Sequence, residues 1–251
     1  MKIAAGAYSS RGSVRAHNED AFLIARISGG GGVEDSSAEF AGEIDASLFF
    51  CAADGMGGHA AGDAASAFVV ENLRADETSP ERVHTPQSLE ALVKTIHAAL
   101  IREGAARGTP NMGSTLTGIL LQKDAPCGFF NAGDSRSYRL RNGFMQQLTR
   151  DDSLSSIVPE AAKNIITNAV GAGLSGVTVT SRFSPSVAIV GDVFLMCSDG
   201  VHGFVGDDDL EKMLAEDAPP GETARRIVEA AIANNSDDNC TAVVVKIEGD
   251  P

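Results

Sequence analysis

Carboxylates recur along this chain at the ends of short apolar runs, and acids so placed can gather the oxygen ligands of a hard cation. The sharpest junction is Leu48-Phe49-Phe50-Cys51-Ala52-Ala53 followed by Asp54-Gly55-Met56-Gly57-Gly58-His59. The others are Glu19-Asp20 ahead of Ala21, Asp134 after the run from Gly128, Asp199 after the run from Val193, and Asp238 ahead of the run from Thr241. If these ends converge, the cluster contains neither cysteine nor histidine. Such a cluster suits Mg²⁺ or Mn²⁺ better than Zn²⁺, which is held mainly by nitrogen and sulfur. Asp54-Gly55 is its best candidate centre, because a carboxylate can bridge two ions while a glycine lets its own carbonyl approach one of them. Asp199-Gly200 repeats the pair. Taken singly, each has a plainer reading: an Asp-Gly pair is a common turn, Asp238-Asn239 a strand start, and Asp134 a hairpin acid paired with Arg136.

The elements that must position these acids are short. A strand is predicted over residues 20–27, a mobile Gly-, Ser- and acid-rich hairpin loop over 28–45, and a strand over 48–53. After the Asp54 turn comes a helix with Ala65, Phe68, Val69 and Leu73 on one face. A second helix opens at Thr85-Pro86, with Pro at its first position, and keeps Leu89, Leu92, Val93, Ile96 and Leu100 in register. Strands are predicted over 114–121, 127–132, 137–141 and 144–148, the last two joined by Asn142-Gly143, whose residues favour the positive φ of a two-residue hairpin. Residues 187–190 and 193–196 read as another hairpin around Gly191-Asp192. Helices over 208–215 and 223–233 and a strand over 241–247 complete the chain. Tight hairpins and grouped helices, rather than alternating βα units, argue for antiparallel sheets with segregated helices in a layered α+β sandwich.

The chain has 251 residues, of which 43% are hydrophobic. That supports a sizeable core, and no Pro- or Ser-rich linker divides it. Lys and Arg number 20 against 34 Asp and Glu, a formal charge of −14, which opposes binding to nucleic acid or anionic membranes through a basic surface. Cys51, Cys127, Cys197 and Cys240 stand singly in or beside predicted strands and read as reduced core residues. No stretch approaches a membrane span, so a cytoplasmic location is expected.

The segments Arg15-Ala16-His17-Asn18-Glu19-Asp20, Asp54-Gly55-Met56-Gly57-Gly58-His59, Met112-Gly113-Ser114-Thr115, Asn131-Ala132-Gly133-Asp134-Ser135-Arg136, Leu148-Thr149-Arg150-Asp151, Cys197-Ser198-Asp199-Gly200 and Asp238-Asn239 resemble, in order, those of the metal-dependent protein phosphatases, the type 2C serine/threonine phosphatases of bacteria. The likeness spans essentially the whole chain. It implies one domain over 1–251, built as a four-layer α-β-β-α sandwich with two Mn²⁺ or Mg²⁺ ions at one end. By the same likeness Asp54 bridges the ions, and the Gly55 carbonyl, Asp199 and Asp238 complete their protein ligands. Glu19 acts through bound waters with Asp20 beside it, and Asp134 matches the ligand of a weaker third ion. Arg15 matches the arginine that grips the substrate phosphate, as a guanidinium fork suits two phosphate oxygens.

The implied reaction is hydrolysis of phosphoserine or phosphothreonine in proteins by a metal-activated water, without a phosphoenzyme. A proton donor to the leaving alkoxide typically contributes about 10²- to 10⁴-fold. His59, just beyond the Asp54 turn, is the candidate; its plainer reading is a helix-start residue that shapes the loop. His17, His84, His97 and His202 have no comparable setting. Two departures from the family stand out: Asp152 occupies a position where most relatives have histidine, and the flap over 151–163 is short, which predicts a more open cleft. The expected partners are phosphoproteins and a bacterial serine/threonine kinase whose action this monomeric enzyme opposes. The competing readings are a catalytically silent regulatory relative, and another metal-dependent hydrolase such as a phosphatase of small metabolites.

Overall fold

Six consecutive apolar residues, Leu48 to Ala53, are all buried, and they alternate between two cores: Phe49, Cys51 and Ala53 enter one, Leu48, Phe50 and Ala52 the other. A strand buried on both faces needs a continuous apolar run, so this one must lie between two layers. The computed structural model describes residues 1–44, 47–58, 60–77, 85–123, 125–154, 165–174, 176–183 and 187–249. Among them two antiparallel sheets stack face to face, with helices outside both.

The first sheet runs β10 (Phe144–Gln147), β9 (Arg136–Arg141), β13 (Val193–Cys197), β14 (Cys240–Glu248), β1 (Lys2–Ser10) and β4 (Ser36–Glu43). The second is built around β5 (Leu48–Met56). On one side of β5 lie β2 (Asn18–Ile24) and then β3 (Ile27–Gly32); on the other lie β7 (Leu116–Leu121), β8 (Gly128–Ala132) and β12 (Thr180–Phe183). The far end of β5 pairs with β6 (Gly113–Ser114), which carries β11 (Val170–Gly171).

Helices α1 (Ala60–Glu77) and α2 (Pro86–Arg107) bury Ala65, Val69, Leu73, Leu89, Val93, Ile96 and Leu100 against the second sheet. Helices α4 (Asp207–Ala215) and α5 (Pro220–Ala233) bury Leu210, Leu214, Ala224, Ile227, Val228 and Ala231 against the first. The third core, with Phe22, Phe50, Met196, Val243 and Val245, lies between the sheets. Three cores separate four layers, and the expected α-β-β-α sandwich is what the chain builds.

Local signals account for the element ends. Thr85 caps α2 in a reciprocal capping box with Ser88, Pro86 opens the helix, and Gly108 closes it in the left-handed conformation,. Asn142 and Gly143 take φ of 54° and 80° in the turn joining β9 to β10, as a two-residue hairpin requires. All four cysteines are buried and free. No helix among the described residues is long and apolar enough to cross a membrane.

Three expectations need correction. Within the predicted hairpin loop over 28–45, residues 28–44 instead carry two strands, β3 extending the second sheet and β4 pairing along β1 in the first, and residue 45 lies outside the described residues. Their Gly- and acid-rich composition resembles a loop, but an edge strand is held by backbone bonds and buries few side chains. Residues 187–190 form no strand, and Val187, Ile189 and Val190 are exposed; both sides of β13 are already taken, by β9 and β14. The predicted strand over 20–27 ends at Ile24, and the turn at Ala25 and Arg26 sends Ile27 into β3. Strands β1, β11 and β12 and the one-turn α3 (Asp199–His202) are additional.

Candidate active site

Antiparallel pairing of β2 with β5 puts Asp20 directly opposite Asp54, so one sheet brings two of the sequence-selected acids together. Asp134 follows β8 in the same sheet. The first sheet brings the rest: Asp199 begins α3 just past β13, and Asp238 precedes β14. The acids meet in a cleft with two adjoining cavities of about 350 and 430 Å³, both lined by Asp134, Asp199 and Asp238; Arg15, Glu19, Asp54 and Gly55 line the smaller. Among the described residues no three His, Cys, Asp or Glu side chains already close on one point; the acids stand around the cleft.

Burial and mutual repulsion dominate the electrostatics. Asp20 is fully buried, and desolvation, reinforced by Asp238 and Asp199, pushes its carboxyl up to about 7 despite hydrogen bonds from Thr241 and Ser198. Desolvation with the charges of Asp20, Asp199, Asp238 and Asp134 holds Asp54 well above the usual carboxylate range. Asp199 is raised by burial and by Asp238, and Asp134 reaches about 7 through burial and the Asp199 charge. Among the described residues Asp20 Oδ1, Asp134 Oδ1 and Asp199 Oδ1 are buried without a hydrogen-bond partner. Buried carboxylate oxygens left so are costly unless something else satisfies them.

Arg15 stands at the mouth, with Nη2 2.7 Å from Asp238 Oδ2 and Nε donating to the Asp237 carbonyl at 3.2 Å. Its partner is therefore Asp238 rather than the neighbouring Glu19 or Asp20. The two Asp-Gly pairs share one structural reason for their glycine. A Cβ on Gly55 would lie 2.0 Å from the Gly62 carbonyl oxygen, and one on Gly200 2.0 Å from that of Asn239. Each glycine admits a passing backbone beside the acid. His59 and flap residues 155–164 lie outside the described residues.

Several residues that hold the acids escaped the sequence reading as individuals, although most sit inside the quoted segments. Asn239 accepts the Glu19 N–H at 2.8 Å and donates to the carbonyls of Arg11 and His17, clamping the Arg15 loop to the start of β14. Thr115 Oγ1 accepts the Asp54 N–H at 2.9 Å and meets Ser135 Oγ at 2.8 Å. Ser198 donates to Asp20 Oδ2 at 2.7 Å. His202, set aside in the sequence, hydrogen-bonds the Asp134 carbonyl through Nε2 at 3.0 Å and lines the larger cavity. Burial and nearby Arg136 lower its pKa to about 4; as the neutral ring it donates there. Asp-Asn, Ser-Thr and His side chains on loops are the only hint such roles leave in a sequence.

The family model described as Protein phosphatase 2C matches residues 25–235. Serine/threonine protein phosphatase PstP of Mycobacterium tuberculosis is 32% identical over 255 residues, an alignment that covers 96% of this chain and 44% of that protein. The chain thus spans less than half the length of that relative. Serine/threonine phosphatase stp of Listeria innocua is 30% identical, with 95% of this chain and 93% of that one covered. A crystal structure of the PstP catalytic domain in complex with 2 manganese ions superposes with a TM-score of 0.78 at 30% identity, covering 99% of this chain and 100% of that one.

Proposed function

The chain belongs to the protein phosphatase 2C family, and from that premise we propose that it hydrolyses phosphoserine and phosphothreonine in proteins with the help of Mn²⁺ or Mg²⁺. One observation carries the reading: five separate chain segments bring Glu19, Asp54, Asp134, Asp199 and Asp238 to one cleft, with Asp20 buried opposite Asp54, and one carboxylate oxygen each of Asp20, Asp134 and Asp199 is buried without a partner among the described residues. An all-oxygen, strongly acidic donor set fits hard divalent ions. The manganese ions of the PstP structure support the same choice of metal. In this reading Asp54, the Gly55 carbonyl, Asp199 and Asp238 hold two ions, Glu19 and Asp20 support them, and Asp134 serves a weaker third.

Bound ions of this kind act as Lewis acids and lower the pKa of a water towards neutrality. The chain's own groups do the rest. Arg15, half-exposed at the mouth, turns its guanidinium from Asp238 to the entering phosphate and fixes it by a charge-assisted fork. Asn239 keeps the Arg15 loop in register with Asp238. Ser198 and Thr115 fix Asp20 and the Asp54 backbone, so the acids are preorganised before substrate arrives. His59 is the proposed proton donor to the leaving alkoxide; a His59→Ala enzyme with full activity on a phosphopeptide would remove it from that role.

The same reading takes residues 1–251 as one catalytic domain with a shortened flap, acting as a cytoplasmic monomer that opposes a serine/threonine kinase. The acidic charge argues against nucleic acid as substrate. The test is hydrolysis of a phosphothreonine peptide, phosphorylated metabolites and p-nitrophenyl phosphate with Mn²⁺, Mg²⁺ or chelator, with Asp199→Asn as control. Metal-dependent turnover of the peptide that vanishes in the variant is expected. No turnover by folded, metal-loaded protein would overturn the reading, and turnover of metabolites alone would replace its substrate.

A further inference from the structure

We infer that Asp152 is a positioning residue for the acidic cleft: its carboxylate holds the peptide between Ala132 and Gly133, and its own N–H holds the next peptide, between Gly133 and Asp134. Asp152 Oδ2 accepts two hydrogen bonds, from the Gly133 N–H at 3.1 Å and from Asn168 Nδ2 at 2.7 Å. The main chain closes the first contact into a ring, because the Asp152 N–H donates to the Gly133 carbonyl at 2.9 Å. Asn168 in turn exchanges bonds with Thr178, at 2.7 Å from its amide to the carbonyl and 3.0 Å from the Thr178 N–H to its oxygen. The Asp152 carbonyl accepts Thr167 N–H at 2.8 Å. One side chain thus joins the turn after β8, its own segment and the segment 165–168.

The turn matters because Asp134 cannot aim itself. Its side chain is buried and its Oδ1 has no partner among the described residues, so its direction follows the backbone. That stretch is held at three successive residues, twice by its backbone and once by a side chain. Asp152 holds Gly133, His202 holds the Asp134 carbonyl at 3.0 Å, and Thr115 meets Ser135 Oγ at 2.8 Å. Chemistry explains why a carboxylate serves here. One carboxylate oxygen has two lone pairs for two N–H donors, whereas a neutral imidazole offers a single acceptor nitrogen. The histidine that the family resemblance leads one to expect at this position would leave one donor unmet.

The structural half of this inference stands on the hydrogen bonds alone; the catalytic half rests on the phosphatase reading. The experiment reads the two separately. Amide exchange at Gly133 is followed by NMR in the metal-free protein for the parent, Asp152→Ala, Asp152→Asn and Asp152→His. Loss of a charged acceptor is expected to speed local opening about tenfold or more in Asp152→Ala. Asp152→Asn, which keeps an acceptor oxygen, is expected to restore most protection, and Asp152→His only part. Turnover of p-nitrophenyl phosphate with Mn²⁺ is then expected to lose about tenfold in kcat in Asp152→Ala with KM within about threefold, since the substrate phosphate is not touched. Parent-like exchange at Gly133 in folded Asp152→Ala overturns the inference. Faster exchange with parent-like kcat reduces Asp152 to a fold contact and also overturns it as a positioning residue. If the alanine variant does not fold, Asp152→Ser, too short to reach either donor, gives the same readings. An inactive parent would sink the phosphatase reading while leaving the exchange result to be judged alone.

Discussion

Asp20 and Asp54 stand directly opposite each other across the antiparallel pair of β2 and β5. Like charges in that relation repel, and both carboxyls are held above their usual range by burial first, with the Asp20 charge adding to the shift of Asp54 and those of Asp238 and Asp199 to the shift of Asp20. A sheet does not place two acids face to face for stability. On the proposed reading a divalent cation bound beside the pair would relieve this repulsion.

The first prediction follows from that relief. Mn²⁺ or Mg²⁺ should raise the melting temperature of chelator-treated protein, because a ligand of the native state at about 100 times its Kd adds about 2.7 kcal/mol. Asp54→Asn removes one of the opposed charges, so the metal-free variant should melt higher than the metal-free parent and respond less to Mn²⁺. Differential scanning calorimetry of both proteins with chelator and with excess Mn²⁺ decides it; a metal-free variant that melts lower than the parent contradicts the argument.

Arg15 separates binding from stability. Its ion pair with Asp238 has side chains 51% and 31% exposed, and such pairs contribute about 1 kcal/mol or less. Arg15→Ala should therefore leave the melting temperature nearly unchanged. A phosphate contact by guanidinium is a charge-assisted bond of roughly 1.5–3 kcal/mol, so kcat/KM should fall about 10- to 100-fold. Arg15→Lys should recover part of the loss, keeping the charge without the fork. Steady-state kinetics beside thermal melts show whether the two quantities separate.

What was legible before the structure, and what was not, divides along physical lines. The acids of the cleft could be read because each flanks a buried strand, and a continuous apolar run with an acid at one end is a local pattern. Strand β1, Lys-Ile-Ala-Ala-Gly-Ala-Tyr-Ser-Ser, could not: it is rich in small residues, and its place comes from pairing with β4 on one side and, on the other, with β14 at the far end of the chain. Asn239, His202 and Asp152 act through backbone groups more than a dozen residues away. No local spacing encodes such contacts. The glycines of the two Asp-Gly pairs were noticed as ligand-side freedom, but the backbone passing 2.0 Å from each missing Cβ is a tertiary fact.

Those glycines give a third prediction. In Gly55→Ala the new methyl meets the carbonyl of Gly62, and in Gly200→Ala that of Asn239. Both obstacles are backbone, so neither can swing aside. Each substitution should cost about 1–3 kcal/mol or more and should displace the adjacent acid, so that activity with saturating Mn²⁺ falls even below the melting temperature. Urea unfolding with an activity assay on the same samples tests both. A variant of either kind with parent stability would mean that the backbones separate freely.

The last prediction concerns Glu77, far from the cleft at the end of α1. It is buried, its Oε1 accepts the Phe49 N–H, and its Oε2 has no partner among the described residues. Burial raises its pKa from 4.5 to about 7, against the hydrogen bonds from Phe49 and Arg26. An acid whose pKa is higher in the folded state binds its proton more tightly there, so its stabilisation is fully present below the unfolded value and is lost as pH rises through the folded one. The window is therefore about pH 4.5 to 7, and the loss across it is at most about 3 kcal/mol. Glu77→Gln keeps an acceptor for Phe49 and carries no proton to lose. Other buried acids titrate in the same range, so the decisive quantity is the difference between the two proteins. Urea unfolding in chelator from pH 5 to 8 should show the variant gaining on the parent as pH rises, and a difference that stays flat would mean that Glu77 meets water freely in the folded protein.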